Sequence, residues 1–446
     1  MSLPTPPSAP RSTVQKLQTA LQVKAKAEAG YRFYSLWDKL YRPDVLREAY
    51  RRCRANGGAP GVDGVTFGQI ESWGLEQWLA ELQEELRGGQ YRPQPLLRIW
   101  IPKSNGGQRP LGLATIRDRV VQLALLLVIG PIFEADLCDE QYGFRPGLDA
   151  KMAVRRAYFH VTARGLCEVV DADLRDYFDT IPHGRLMRCL SRRIADGRVL
   201  SVIKQWLRAP VVERTGRGEC RTTDAANQSR GVPQGAPISP LLSNLYFRRF
   251  VLAWKLFGHE RRLQARIVNY ADDLVICCRP GNGPEAMAQF RRLMTRLGLT
   301  VNEQKTRLVR SPEEHFDFLG YTIGRFYGRH GRPYIGTQPS KKAVRRLLRR
   351  IHDETSSRWN WQVPADRVRV LNSALRGWCA YFDQGPVVRV YRVVRRYTER
   401  RLRRWLMRRQ QRRGTGYKQY PDRFLYDVLG LFKPPETRQT MPNAKT

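Results

Sequence analysis

The stretch Ile267-Val268-Asn269-Tyr270-Ala271-Asp272-Asp273-Leu274-Val275-Ile276 decides the fold. Two apolar, β-branched runs flank an adjacent pair of carboxylates. Each run reads as a short buried strand, and the Asp pair falls at the hairpin between them. Successive side chains diverge there, so one Asp faces a site while its neighbour supports it. Two ionised carboxylates held close repel unless a cation sits between them. A hard, oxygen-seeking ion of the Mg²⁺ type is the natural partner. A lone Asp-Asp is usually no more than a turn; the rest of the chain argues otherwise.

Upstream lies a second acidic string, Val169-Val170-Asp171-Ala172-Asp173-Leu174-Arg175-Asp176-Tyr177-Phe178-Asp179. It ends a strand and passes through a polar turn into a helix. Alternation puts Asp171 and Asp173 on one face, where either can meet the hairpin from an adjacent strand. Three carboxylates converging from two strands can hold two divalent ions about 4 Å apart. Such a pair activates a 3′ hydroxyl and stabilises a leaving pyrophosphate.

Composition points the same way. The chain has 446 residues, enough for two or three domains, and 42% of them are apolar. Its formal charge is +37, from 78 Lys and Arg against 41 Asp and Glu. A field of that sign attracts polyanions, and nucleic acid is the leading partner. An anionic membrane is the weaker alternative, because the basic residues are spread through folded segments rich in aromatics. Acidic pockets inside so basic a protein suit metal-dependent chemistry on a polyanion. The eight Cys include no CxxC and no zinc spacing, which implies a reducing cytoplasm and no zinc. Residues 1–13, rich in Pro and Ser, read as disordered and lack a signal core. The longest apolar run, residues 120–129, is too short to span a bilayer and reads as a buried helix.

Helical spacing dominates residues 14–55 and 70–86, with a turn-rich break, GGAPGVDG, at 57–64. From 91 to about 323, short strands alternate with helices in an α+β texture, without a regular βαβ repeat. Asn105-Gly106-Gly107 reads as a hairpin turn. Residues 341–413 hold 22 Lys and Arg against 5 Asp and Glu while keeping apolar residues at helical spacing. That pattern is a folded helical domain with a basic face. A duplex gripped by such a face would be held through its phosphates, which positions without reading sequence. Trp359, Trp361, Trp378 and Trp405 are expected in the core, with base stacking the alternative.

Longer strings make the chain resemble the group II intron-encoded reverse transcriptase/maturase family. They are IPKSNGGQRPLGLATIRDRVVQ (101–122), DEQYGFRPG (139–147), DADLRDYFDTIPH (171–183), GVPQGAPISPLLSNLYF (231–247), YADD (270–273), LGLTVNEQKT (297–306) and FDFLGYTIG (316–324). LNSALRGWCAYF (371–382) resembles the maturase, or thumb, region. YKQYPDRFLYDVLGLF (417–432) resembles the close of members that lack an endonuclease. Many members carry a zinc-supported HNH endonuclease; this chain ends without its Cys pairs or His cluster. The expectation is no endonuclease activity, with a primer drawn from a replication fork or a nick.

The resemblance implies an α+β right-hand polymerase, with fingers and an antiparallel palm sheet, followed by an all-α thumb/maturase domain. Residues 1–55 would be an N-terminal extension, 56–165 the fingers, 166–335 the palm, 336–415 the thumb/maturase domain and 416–446 a tail. The first catalytic Asp of such enzymes lies five positions before a bulky gate residue, which selects Asp173 with Phe178. Asp173, Asp272 and Asp273 are then the catalytic metal ligands for two Mg²⁺, with Mn²⁺ able to substitute, and Asp171 is a supporting residue. Phe178 would crowd a ribose 2′ hydroxyl and favour deoxynucleotides. Lys103, Arg109, Gln234 and Lys305 would serve the incoming nucleotide. Arg145 would organise the fingers or touch template, and the small Ala271 would leave room for the primer terminus.

The implied function is RNA-directed DNA synthesis from deoxynucleoside triphosphates on an RNA template with a DNA or RNA primer. Binding of its own group II intron RNA and help with splicing would accompany it, in the bacterial cytoplasm or nucleoid. One alternative keeps the enzyme but places it in DNA repair or defence. A second is a splicing-only RNA-binding factor, against which the full Asp set argues. RNA-templated RNA synthesis is a third.

Overall fold

The structure, a computed structural model, describes residues 12–102, 107–214, 220–223, 229–328 and 330–436. Helices α1 (Thr13–Ala27), α2 (Trp37–Leu40), α3 (Pro43–Asn56) and α4 (Phe67–Arg87) precede strands β1 (Leu96–Pro102) and β2 (Gln108–Leu113). Then come α5 (Ile116–Glu134), α6 (Ala150–Thr162), β3 (Glu168–Asp173), α7 (Tyr177–Thr180), α8 (His183–Ser191) and α9 (Gly197–Leu207). Strands β4 (Val211–Arg214) and β5 (Cys220–Thr223) lead to α10 (Ser239–Leu256), α11 (His259–Arg262), β6 (Arg266–Tyr270), β7 (Asp273–Cys278) and α12 (Gly283–Leu297). The chain continues through β8 (Arg307–Arg310), β9 (Phe316–Phe318), β10 (Tyr321–Tyr327) and β11 (Pro333–Pro339) into α13 (Lys341–Glu354), α14 (Pro364–Tyr381) and α15 (Val388–Arg409).

The central sheet runs β6-β7-β3-β8, all antiparallel. Its strands are apolar on both faces because both faces are covered. Val170, Ala172, Ile267, Leu274 and Ile276 join one core, which also holds Phe250 of α10 and Phe290 of α12. Val169, Val268, Val275 and Cys277 join another, with Ala153 and Val154 of α6 and with Phe316, Phe318 and Tyr321. Strand parity therefore puts Asp171, Asp173 and Asp273 on this second face. They lie where the apolar residues run out.

A second sheet has the order β2-β1-β4-β5. β1 and β2 form the expected antiparallel hairpin, from Leu97↔Leu113 to Pro102↔Gln108. Its tip, which holds Lys103, Asn105 and Gly106, lies outside the described residues. The other edge of β1 pairs in parallel with β4, so the chain returns here from the palm. β1 therefore has partners on both sides of residue 165, the expected division of fingers from palm. Residues 120–129 form the middle of α5, which α1, α2 and α3 pack around.

The hairpin β10–β11, with β9, makes a three-stranded sheet that continues to Pro339, past the expected end of the palm at 335. The helical domain begins at α13. Its core holds Leu347, Ile351, Leu371, Leu375, Leu402 and Trp405, and also Tyr420, Leu425 and Leu431. Residues 417–432 are thus an integral layer of that domain and not a tail, because their apolar side chains close its core. Trp405 is fully buried and Trp378 packs on the same cluster. Trp359 lies under the Arg367 guanidinium at 4.4 Å, and Trp361 is 75% exposed. Among the described residues no helix is long and apolar enough to cross a membrane.

Candidate active site

Register brings the two acidic strings together. Asp173, the last residue of β3, lies directly opposite Asp273, the first residue of β7. Asp272 precedes it in the β6–β7 turn. That turn needs Ala271 at φ 57°, a left-handed conformation that is uncommon outside glycine. Asn269 holds it: buried, its Nδ2 donates to the carbonyls of Ala271 at 2.8 Å and Asp273 at 3.2 Å. The 139–147 segment braces it from outside. Asn269 N donates to Glu140 O, Tyr142 N donates to Asn269 O, and Gln141 bridges to Asn269. Gly143 passes so close that a Cβ there would stand 2.5 Å from Ala271 N. Ala271 is accordingly 6% exposed, packed beneath this segment.

The carboxylate of Asp173 is held from the 297–306 segment. Asn302 Nδ2 donates to its Oδ1 at 3.0 Å, and Lys305 Nζ lies 3.4 Å from its Oδ2. The Asp173 N–H donates to Thr306 Oγ1 at 3.1 Å. Lys305 thus lies against the Asp173 carboxylate, where the sequence suggested nucleotide phosphates. Asp171 has a different partner, Arg307, whose Nε is 3.2 Å from its Oδ2.

Electrostatically the site is unsettled. Surrounding protein, then the charges of Asp272, Asp173 and Asp171, push Asp273 up to about 7, opposed by Lys305. Asp273 still presents an exposed edge to solvent. Burial also raises Asp171, which Arg307 offsets. Among the described residues no three His, Cys, Asp or Glu side chains are already gathered as a cage for a metal. The donor set nonetheless suits one: hard oxygens on opposed strand ends, with mutual repulsion that a divalent cation would relieve.

Phe178, on α7, is 8% exposed and lies edge-on to Tyr177, ring centres 5.6 Å apart. The segment 229–234 runs alongside α7 and the residues after it. Val232 N donates to Phe178 O at 2.7 Å, Gly231 N to Ile181 O at 2.9 Å, and Pro182 bridges to Arg230. Its far end meets the finger hairpin, where Gly112 N donates to Gln234 O at 3.0 Å. Gly235 has φ 102°, and a Cβ there would meet Leu111 Cδ1 at 2.8 Å, so glycine is required. Arg109 and Gln234 are in contact: Arg109 Nε donates to Gln234 Oε1 at 2.5 Å. Gln234 Nε2 donates in turn to Asp179 Oδ2 at 2.9 Å.

Arg145 is turned inward. It donates to Glu134 through Nε and Nη2, and to the carbonyls of Cys138 and Gln141 through Nη1. This arrangement fits organisation of the fingers and leaves template contact without support. Lys103 lies outside the described residues. Sequence reasoning missed Asn269, Asn302, Thr306 and Asp179. All four stand inside strings that the sequence singled out, but nothing local told which of their neighbours they would hold.

The chain matches the family described as Reverse transcriptase (RNA-dependent DNA polymerase) over residues 101–323. It also matches the Group II intron, maturase-specific domain over residues 344–421. It is 32% identical over 373 residues to Protein YkfC of Escherichia coli (strain K12), covering 74% of this chain and 93% of that protein. It is 26% identical over 332 residues to the Putative COX1/OXI3 intron 1 protein of Saccharomyces cerevisiae, covering 63% and 38%. With the Group II intron-encoded protein LtrA of Lactococcus lactis subsp. cremoris it shares 29% identity over 228 residues, covering 50% and 36%. The chain therefore spans nearly all of the first relative and little more than a third of the other two.

Proposed function

The chain belongs to the group II intron-encoded reverse transcriptase/maturase family, and from that premise we propose how its residues divide the work. The family brings RNA-directed DNA polymerase activity on a right-hand polymerase fold, an RNA template, nucleotide substrates and a divalent metal. Within it, Asp173, Asp272 and Asp273 hold two Mg²⁺ ions. When bound, those ions supply the Lewis acidity that lets a primer 3′ hydroxyl displace pyrophosphate. The observation that carries this reading is the cross-strand pairing of Asp173 with Asp273 at the open end of the central sheet.

The chain's own groups do the rest. Asn302 and Thr306 keep the Asp173 end of β3 in place. Lys305, whose Nζ lies 3.4 Å from Asp173, is the cation that would serve the nucleotide phosphates beside that carboxylate. Arg109 and Lys103 bind the triphosphate, Arg109 as a planar fork. Phe178 excludes a ribose 2′ hydroxyl. Helices α13–α15 serve as the thumb and grip the template–primer duplex. They also contribute to recognition of the intron RNA that carries the gene.

Primer extension on an RNA template tests the central claim. The full chain should give a DNA product that depends on Mg²⁺, and Asp272→Ala should abolish it while leaving duplex RNA binding in place. Equal product from both proteins would remove the metal-ligand assignment.

A further inference from the structure

Asp179 stands outside the residues just assigned, yet it ends a chain of side chains that starts in the fingers. It lies on the same four-residue helix as Phe178 and faces the 229–234 segment. Three groups connect in line: Arg109 Nε to Gln234 Oε1, and Gln234 Nε2 to Asp179 Oδ2. The direction of this chain is not arbitrary. A guanidinium can only donate and an ionised carboxylate can only accept, so the amide between them has one allowed orientation. Remove the carboxylate and the amide keeps only its bond to Arg109, so the two side chains can swing together instead of being held at a fixed point.

Backbone contacts make the chain stiff. The Gln234 loop is fastened to α7 on one side and to β2 on the other by main-chain hydrogen bonds. Its amide therefore sits at a fixed point between palm and fingers. With Nε engaged by Gln234, the end-on pair of Arg109 nitrogens, Nη1 and Nη2, is the fork left to meet a ligand. They make no hydrogen bond to any described residue. Arg98 and Arg109 are the cations that act on Asp179, and Asp176 is the anion.

We propose that Asp179 is a positioning residue for nucleotide binding: acting through Gln234, it fixes the direction in which Arg109 presents its guanidinium fork to the triphosphate. This rests on the reading of the finger hairpin as the triphosphate site. Asp179 touches no reacting atom, so its removal acts on substrate capture more than on the chemical step.

The test is steady-state primer extension with the full chain, reading KM for the deoxynucleotide separately from kcat. Arg109→Ala should raise KM at least about tenfold, the scale of one charge-assisted contact. Asp179→Ala should raise it about fivefold, with kcat changed less than about twofold. Gln234→Glu should be as damaging, because it sets a carboxylate against Asp179. Adding Asp179→Asn to Gln234→Glu should bring KM back to within about threefold of the starting protein. In the double variant the new amide donates to the new carboxylate, which accepts from Arg109. The chain is rebuilt with its polarity reversed, an effect that misfolding cannot mimic. The positioning role is wrong if Asp179→Ala leaves KM unchanged while Arg109→Ala raises it, or if the double variant is no better than Gln234→Glu. If Arg109→Ala itself leaves KM unchanged, the triphosphate reading fails first and the proposal falls with it.

Discussion

The central sheet and the helical domain treat charge in opposite ways. At the open end of the sheet, Asp173 and Asp273 oppose each other, with one lysine nearby and no other cation among the described residues bonded to their carboxylates. In the helical domain, buried arginines are tied to acceptors on neighbouring segments. Arg403 is fully buried, its Nε donating to Tyr420 O at 2.8 Å, with Asp422 as ion-pair partner and the Tyr417 ring 4.2 Å from its guanidinium. Arg401 donates to Thr355 Oγ1 and to the carbonyls of His352 and Thr355. Arg367 pairs with Glu354 at 2.8 Å. Arg403 Nη1 and Arg367 Nε have no hydrogen-bond partner among the described residues, so it is pairing with a carboxylate that makes these two buried charges tolerable. An unpaired set persists where a ligand completes it. The contrast separates a site from a scaffold better than any count of charges.

Within the sheet, Asp171 and Asp173 give the sharpest form of the contrast, since they share a face and a strand. Asp171 is already neutralised by Arg307; Asp173 lies opposite another carboxylate. Asp173→Asn should lower kcat for RNA-templated DNA synthesis by about 10²–10³, the loss seen when one electrostatic stabiliser is removed. Asp171→Asn should cost less than about tenfold, the lower end expected for a supporting partner. Single-turnover extension at saturating Mg²⁺ measures both. Losses of equal size would erase the distinction between the two positions.

The helical domain offers the next largest effect. Arg403→Leu removes two bonds from a side chain with no exposed surface and leaves the Tyr420 carbonyl without its donor. It should cost about 2 kcal/mol of stability. Arg404→Ala, one position along α15 and exposed, should stay within about 0.5 kcal/mol. Urea unfolding of the two variants decides, and similar midpoints would mean that Arg403 is not a structural bolt.

How much of this was legible beforehand depends on distance along the chain. The carboxylate pair at a hairpin, the parity of Asp171 and Asp173, and the buried helix at 120–129 are all local patterns, and the structure places them as read. Alternation allowed the two acidic stretches to meet, and the family strings supplied the choice of Asp173 over Asp171. What failed depended on contacts between distant segments. Nothing near Asp179 announces Gln234, and nothing near β1 announces β4 as its second neighbour. The family's layout implies a tail over residues 416–446, yet Leu425 and Leu431 close a core formed many residues earlier. Arg403 is one of many arginines in α15, and only packing shows that it faces inward.

The smallest effect tests the sheet side of the comparison away from the carboxylates. His160 of α6 is buried against the second core, and its Nδ1 has no hydrogen-bond partner among the described residues. Burial, then the charges of Arg156, Arg164 and Arg266, lower it to about 3. It is therefore neutral in the folded protein and titrates near 6.5 only when unfolded. A base depressed in this way stabilises the fold above about pH 6.5, and that contribution is lost as pH falls, because the unfolded chain takes up the proton first. The slope is about 1.4 kcal/mol per pH unit below that point, so its share of the loss approaches 2 kcal/mol at pH 5. His160→Phe keeps an apolar ring there and has no proton to gain. Urea midpoints at pH 7.5 and pH 5 should fall further for the starting protein than for the variant, since every other titrating group is common to both. Parallel falls would show that His160 is solvated or partnered, and that the sheet harbours uncompensated groups only at its open end.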